Sequence, residues 1–322
     1  MAISLTRDVI KNSGVQNALR AYLPQTRHYL LEGINRSVRR EIKIPPSPWV
    51  ERYRRHSLVG TAFDYLVGLL WANTSDSSAL EKPFQRVREG MESKCEIHVS
   101  VRAGTIKRIS PLGDTDSLLQ SLWDLILSEL PSVRNKKTGK RPRDFFRGLG
   151  LLANLDAMTR AANVPVPELI TSSKIRGTND LREALRKHYP DQFVDELQLL
   201  ISAAHEGLPS GSVEYNPIFG AHVGNIAVGA DGDLLIDDLL LELKVVKEFQ
   251  PRHLWQLLGY AVLDANRGTQ RIRRVGLYNP RFSGTPWSLP LDSLIRELGG
   301  TDFERFRCWF NTDIEKILRK AA

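Results

Sequence analysis

The run ADGDLLIDDLLLELK at 230–244 constrains the fold more than any other part of the chain. Two apolar stretches flank Asp237-Asp238, and aspartate tolerates the left-handed backbone of a tight turn better than most residues. The spacing predicts two strands joined by a two-residue loop. It pairs Ile236 with Leu239, Leu235 with Leu240, Leu234 with Leu241 and Asp233 with Glu242. Directly opposed residues share a face, so Asp233, Glu242 and, by alternation, Lys244 gather on one side, with Asp231 opposite Lys244. The other face presents Leu234, Ile236, Leu239, Leu241 and Leu243 as a core surface. Two carboxylates side by side repel each other unless a cation sits between them. Hard oxygen ligands suit Mg²⁺ or Mn²⁺, and an adjacent lysine orients or activates a water, a set fitted to phosphodiester hydrolysis. The bland alternative is an exposed charged face on which Glu242 and Lys244 pair with each other or with solvent.

Around this hairpin the last third of the chain reads as strands at 213–219, 231–236, 239–246 and 271–278, with a helix at 252–266 before the last. A β-β-β-α-β order after a helix predicts an α/β domain on a mixed sheet flanked by helices. Upstream, apolar stripes near a period of 3.6 predict helices at 58–72, 117–130, 144–162 and 191–205, a large mainly helical insertion or second domain. The expected organisation is a basic segment over 1–55, a first core helix at 56–74, a helical region at 75–204, the catalytic core at 205–285 and a helical tail over 286–322. Pro45-Pro46-Ser47-Pro48 should stop any helix and extend the chain.

Composition narrows the class. Of 322 residues, 42% are hydrophobic and 25% charged, which excludes a disordered or fibrous chain. No window approaches the roughly 18 consecutive apolar residues of a membrane span. Arg7 and Asp8 precede any apolar stretch, which argues against a secretory signal and for a cytoplasmic protein. Lys and Arg number 45 against 37 Asp and Glu, a net +8 that favours a polyanionic partner. The stretch 134–147 holds seven Lys or Arg against one acid, and Lys136, Lys137, Lys140, Arg141 and Arg143 are candidate contacts to nucleic-acid phosphates. The segment TGKR at 138–141 lacks the remainder of a nucleotide-binding loop, so no nucleotide cofactor is expected.

The D-x₈-E-x-K pattern is followed by Gln256 and Tyr260, four apart and on one helical face. Together these resemble the PD-(D/E)XK nuclease superfamily, in particular its RecB-like branch, which carries Q-x-x-x-Y on the helix after the E-x-K strand. Gly60 to Asp64 resembles that branch's first-helix G-x-x-x-H, with Asp64 where histidine usually stands. The resemblance covers 210–285 and implies a restriction-endonuclease-like core. It implies Asp233, Glu242 and the Leu243 carbonyl as metal ligands, Asp64 as a further candidate ligand, and Lys244 acting on the attacking water or scissile phosphate. Gln256 and Tyr260 would steady the site and contact the DNA backbone. One subgroup of the branch binds an iron–sulfur cluster through four cysteines; this chain has two, Cys95 and Cys308, and no cluster is expected.

Several alternatives stand beside this reading. Asp231 competes with Asp233, and Glu196 or His205 competes as a further ligand. His222 and His253 read as surface residues. Trp255 reads either as a base-stacking platform or as core. The expected activity is Mg²⁺- or Mn²⁺-dependent hydrolysis of DNA, in defence against foreign DNA or in repair and recombination, with a separate helicase or ATPase partner supplying any motor. The competing reading is an inactive nuclease-fold module that binds DNA or a protein. Oligomeric state stays open.

Overall fold

The computed structural model describes residues 3–36, 43–71, 81, 84–85, 87–89, 99–102, 105–108, 115–134, 142–160, 175, 177–282 and 284–321. The chain divides into two compact units, Met1–Pro45 with Ser202–Ala322, and Pro46–Ile201.

The first unit opens with β1 (Ile3–Ser4), a π-helical turn (Leu5–Ile10) and α1 (Ser13–Tyr22). Asn12 caps α1 by accepting the Val15 N–H at 3.2 Å, satisfying one of the helix's orphan donors. Leu5, Val9, Val15, Leu19, Leu23, Leu30 and Ile34 are buried in the unit's core. Of the basic segment expected over 1–55, Met1–Pro45 fall in the unit that holds the hairpin. The end of that stretch is fastened by Arg281, whose guanidinium donates to the Ile44 carbonyl at 3.1 Å.

The second unit begins with α2 (Pro48–Tyr53). The proline-rich breaker starts a helix. Extended Ser47 is the N-cap and Pro48 enters the first turn, where a missing N–H costs nothing. Then follow α3 (His56–Trp71), the hairpin β2 (Val99–Arg102) and β3 (Thr105–Arg108), α4 (Thr115–Arg134), α5 (Arg143–Arg160), α6 (Thr178–His188) and α7 (Asp191–Gly207), whose last turn passes into the first unit. Helix α5 packs on α3, α4 and α6. The helix expected as a first core element therefore belongs with the helical unit.

The remainder of the first unit is β4 (Val213–Tyr215), β5 (Ile218–Val223), β6 (Ile226–Asp231), β7 (Leu234–Ile236), β8 (Leu239–Leu243), α8 (Pro251–Asn266), β9 (Arg274–Tyr278), β10 (Trp287–Pro290), α9 (Leu291–Glu297), α10 (Phe303–Trp309), a π-helical turn (Phe310–Ile314) and α11 (Glu315–Ala321). Five strands form a mixed sheet in the order β10-β9-β8-β7-β4, and three form a second sheet, β1-β6-β5. Strands β8 and β9 run parallel, with α8 as the crossover between them, whereas β7 and β8 are an antiparallel hairpin. Helix α8 packs against β5, β8 and β9, and its Leu254, Leu257, Leu258 and Val262 anchor a core shared by both sheets. Among the described residues, no helix is long and apolar enough to cross a membrane.

The expected strand 213–219 is broken at Asn216, whose φ of +50° turns the chain out of β4 before β5 begins. The expected strand at 231–236 is likewise divided. Asp231 ends β6, paired with Ile218 in the second sheet, and the chain crosses to the five-stranded sheet through Gly232. A Cβ at Gly232 would stand 3.0 Å from the Phe219 ring and 3.1 Å from Leu240, so glycine permits the close passage.

Candidate active site

The β7–β8 register is Leu234 with Leu241, Leu235 with Leu240 and Ile236 with Leu239, as the spacing predicts. Asp237 takes φ +53° to turn the hairpin. Asp233 sits just before β7, its carbonyl accepting from the Asn216 N–H at 3.0 Å. Lys244 follows β8 and continues the ladder, its N–H donating to the Tyr278 carbonyl at 2.9 Å.

The three side chains converge. The Lys244 ammonium is ion-paired with Glu242 and lies 3.3 Å from Asp233 Oδ2 and 3.0 Å from the Leu243 carbonyl oxygen. Asp233 Oδ2 also accepts the Leu243 N–H at 2.7 Å. Side-chain exposure is 0% for Glu242, 20% for Asp233 and 25% for Lys244. Glu242 and Lys244 pair with each other, as in the bland alternative, but on a buried face rather than an exposed one. The hairpin is buried on both faces: Leu235 and Leu240 flank Glu242 in the core beneath α8, while Leu234, Leu239, Leu241 and Leu243 are buried on the other side. Asp231, which shared the expected face, lies exposed in the other sheet, and Asp233 is the aspartate beside Lys244.

Helix α8 supplies the wall. Gln256 Nε2 donates to the Tyr260 hydroxyl one turn away, and Tyr260 stacks on Phe219 with centroids 5.5 Å apart. Burial, reinforced by the charges of Glu242 and Asp233, pushes the Tyr260 phenol well above its ordinary pKa, against the pull of hydrogen bonds with Gln256 and Thr6. Tyr260 is thus a neutral hydroxyl beside two carboxylates. Thr6 had no signal in the sequence, since it reaches this place from the opening π-helical turn.

His253, read from sequence as a surface residue, is buried at the third position of α8, where its Nδ1 accepts the Gln250 N–H at 3.1 Å. Burial, then the charges of Lys244 and Arg252, lowers its pKa to about 3, and the ring is neutral. His222 is exposed on β5. Trp255 is 2% exposed and belongs to the core, with the Arg20 guanidinium 5.8 Å from its ring centre.

The remaining candidates lie on other elements. Asp64 is on α3 in the second unit. Glu196 is buried in that unit and accepts the Ser47 N–H at 2.8 Å, a structural duty at the start of α2. His205 is half-buried on the last turn of α7. Of the basic stretch, Lys136, Lys137, Lys140 and Arg141 lie outside the described residues. Arg143 is paired with Asp191 at 3.0 Å and Asp195 at 2.8 Å, so its charge is partly spent within the helical unit.

The donors suit a hard cation. Two carboxylates and one backbone carbonyl all reach a single positive group, here the Lys244 ammonium, and Mg²⁺ is commonly held by one or two carboxylates while keeping its waters. No group of three or more His, Cys, Asp and Glu side chains is gathered among the described residues, so any such ion would lean on the Leu243 carbonyl and on water. No protein-family model matches the sequence, and no curated protein or solved structure matches it significantly.

Proposed function

We propose that the protein is a Mg²⁺- or Mn²⁺-dependent nuclease that hydrolyses phosphodiester bonds of DNA. The observation that carries the reading is the convergence of Asp233, Glu242 and the Leu243 carbonyl on the Lys244 ammonium, beside the Gln256–Tyr260 pair. The order α7, β4, β7, β8, α8, β9, with the β5–β6 hairpin inserted, is read as a restriction-endonuclease-like core. Asp233, Glu242 and the Leu243 carbonyl would hold the divalent ion. Bound there, it supplies Lewis-acid stabilisation of the charge that builds on the phosphoryl oxygens. Lys244, a quarter exposed, reaches the attacking water or the scissile phosphate and compensates its negative charge. Tyr260 and Gln256 keep the wall of the site fixed and neutral. Asp64 stays a candidate further metal ligand and the basic stretch a candidate DNA contact, and a role in defence or repair, with a partner ATPase, belongs to the same proposal.

One observation favours a second reading, an inactive binding module: the lysine already supplies a counter-charge to the carboxylates without a metal. Cleavage of linear, circular and single-stranded DNA by the full-length chain in Mg²⁺, Mn²⁺ or EDTA separates the two. The nuclease reading expects metal-dependent cutting that Asp233→Ala and Lys244→Ala both abolish. DNA retention on a gel without cutting, equal in all three proteins, would establish the module instead.

A further inference from the structure

We propose that the groove between edge strand β5 and the C-terminal end of α8 is a second anion site, which holds the sugar-phosphate backbone of a nucleic-acid strand leaving the active site. The inference deepens the nuclease reading and rests on it for the identity of the ligand. A cavity of about 570 Å³ opens there, lined by Gly220, His222, Asn266, Arg267, Arg307 and Asn311, with no carboxylate in its lining. Arg267 is exposed and spends one N–H on the Ile218 carbonyl at 3.3 Å, which leaves most of its planar fork facing solvent. Arg307 donates to the Ala265 carbonyl at 3.3 Å, covering the negative end of α8 where an anion would otherwise be repelled. Glu304 pairs with Arg307 at 3.0 Å and spends part of its charge, and Glu315 pairs with Arg319 and accepts from Asn225, which leaves Arg267 as the main cation of the groove.

Backbone chemistry adds to the side chains. On β5 the carbonyls of Ile218 and His222 face α8, accepting from Arg267 and Asn266, so by alternation Gly220 turns its N–H to the same open edge. A Cβ at Gly220 would meet nothing within 4 Å, so the sheet face is uncrowded at this point of the groove. Arg267 follows Tyr260 by seven residues, hence on the same face of α8 and about 10 Å further along its axis.

Cys308, exposed on the groove's rim, gives a local readout. The experiment measures the rate at which a maleimide modifies Cys308 in the full-length chain, read by peptide mass spectrometry in EDTA, with a single-stranded oligonucleotide, a duplex or inorganic phosphate as probe. We expect either nucleic acid to slow modification, and Arg267→Gln with Arg307→Gln to abolish that protection. Arg267→Gln alone should lower the slope of log affinity against log salt by about 0.7 for the single strand. Arg273→Gln, the loss of one exposed charge elsewhere on the unit, should leave protection intact. Protection that is absent, or unchanged in the double variant, overturns the proposal. So does equal protection by inorganic phosphate at matched phosphate concentration, which would make this a free-phosphate site. Cleavage is scored separately: a chain that protects Cys308 but never cuts sinks the nuclease reading alone, and one that cuts without protecting sinks the groove alone.

Discussion

Replacing Lys244 with Met tests whether the ammonium is the counter-charge of the buried cluster. The substitution keeps an unbranched side chain and removes only the cation. Glu242 stays fully buried, and its nearest compensating charge is gone, while Asp233 keeps the Leu243 N–H. Removing one partner of a buried pair costs about 3–5 kcal/mol, because the other charge is left uncompensated. Lys244 is itself a quarter exposed, so part of that cost is already screened, and we expect about 3 kcal/mol. For a unit of this size that is roughly a 6–12 °C fall in melting temperature. The assay is a thermal melt in EDTA, with the transition assigned to the β8–α8 region by hydrogen exchange, since two units need not melt together. Adding Glu242→Gln to the variant should recover most of the loss. Mn²⁺ should raise the melting temperature of Lys244→Met more than that of wild type, because no ammonium has to be displaced. A hundredfold excess over the dissociation constant is worth about 2.7 kcal/mol. A variant melting within about 2 °C of wild type in EDTA would refute the charge argument, and equal Mn²⁺ increments in the two proteins would refute the competition.

Two further outcomes follow from neighbouring groups. His253 has a folded pKa lowered to about 3, whereas an unfolded histidine titrates near 6.5, so its contribution is present above pH 6.5 and lost as pH falls from there toward 3. The loss approaches about 1.4 kcal/mol per pH unit within that window; His253→Asn, which keeps an acceptor for the Gln250 N–H, should flatten the fall in melting temperature between pH 6.5 and 4.5, and an unchanged profile would place the acid sensitivity elsewhere. Asp264, 1% exposed on α8, accepts from Thr269 Oγ1 at 2.5 Å and from the N–H groups of Arg271 and Ile272 at 2.5 and 3.1 Å. Asp264→Ala strands those donors and should cost about 2–4 kcal/mol, read by chemical denaturation; a loss below 1 kcal/mol would show that water replaces the carboxylate.

The β7–β8 hairpin was legible because its information is local. A two-residue turn fixes every pair around it, and the leucine runs leave one register. Helix α8 was legible for the same reason, with its stripe and its Gln256–Tyr260 spacing inside one element. What escaped depends on distant partners. Strand β1 pairs with β6 across more than 200 residues, and nothing in Ile3–Ser4 announces it. The leucines and valines of 5–34 face the core, but in the sequence they are interspersed with polar and charged residues, and the partners that bury them lie more than 180 residues away. Asp231 was misplaced because alternation assumes an unbroken strand, and Gly232 lets the chain change sheets between two aspartates. Burial of Glu242 was unreadable too: the hairpin pattern assigns it a face, and only the arrival of α8 makes that face interior.

That burial gives the cluster an asymmetry with functional consequences. Glu242 and the Leu243 carbonyl belong to a strand paired on both sides and cannot move without breaking the sheet. Lys244 is the mobile member: it sits past the end of β8, its stem is flexible, and its head already touches solvent. A carboxylate kept ionised in the interior needs a positive charge beside it, but not a particular one. Under the nuclease reading, the lysine therefore serves as a resident counter-charge that keeps the hairpin stable before substrate arrives and can yield its place to a divalent ion without rearranging the strand. Once displaced it remains tethered within a few ångströms of the same oxygens, where its charge is available to a phosphate. An arginine would serve this role badly, because its planar fork would lock the two carboxylates together. Lys244→Arg should accordingly keep most of the metal-free stability while losing cleavage, and an active, stable Arg variant would refute the exchange.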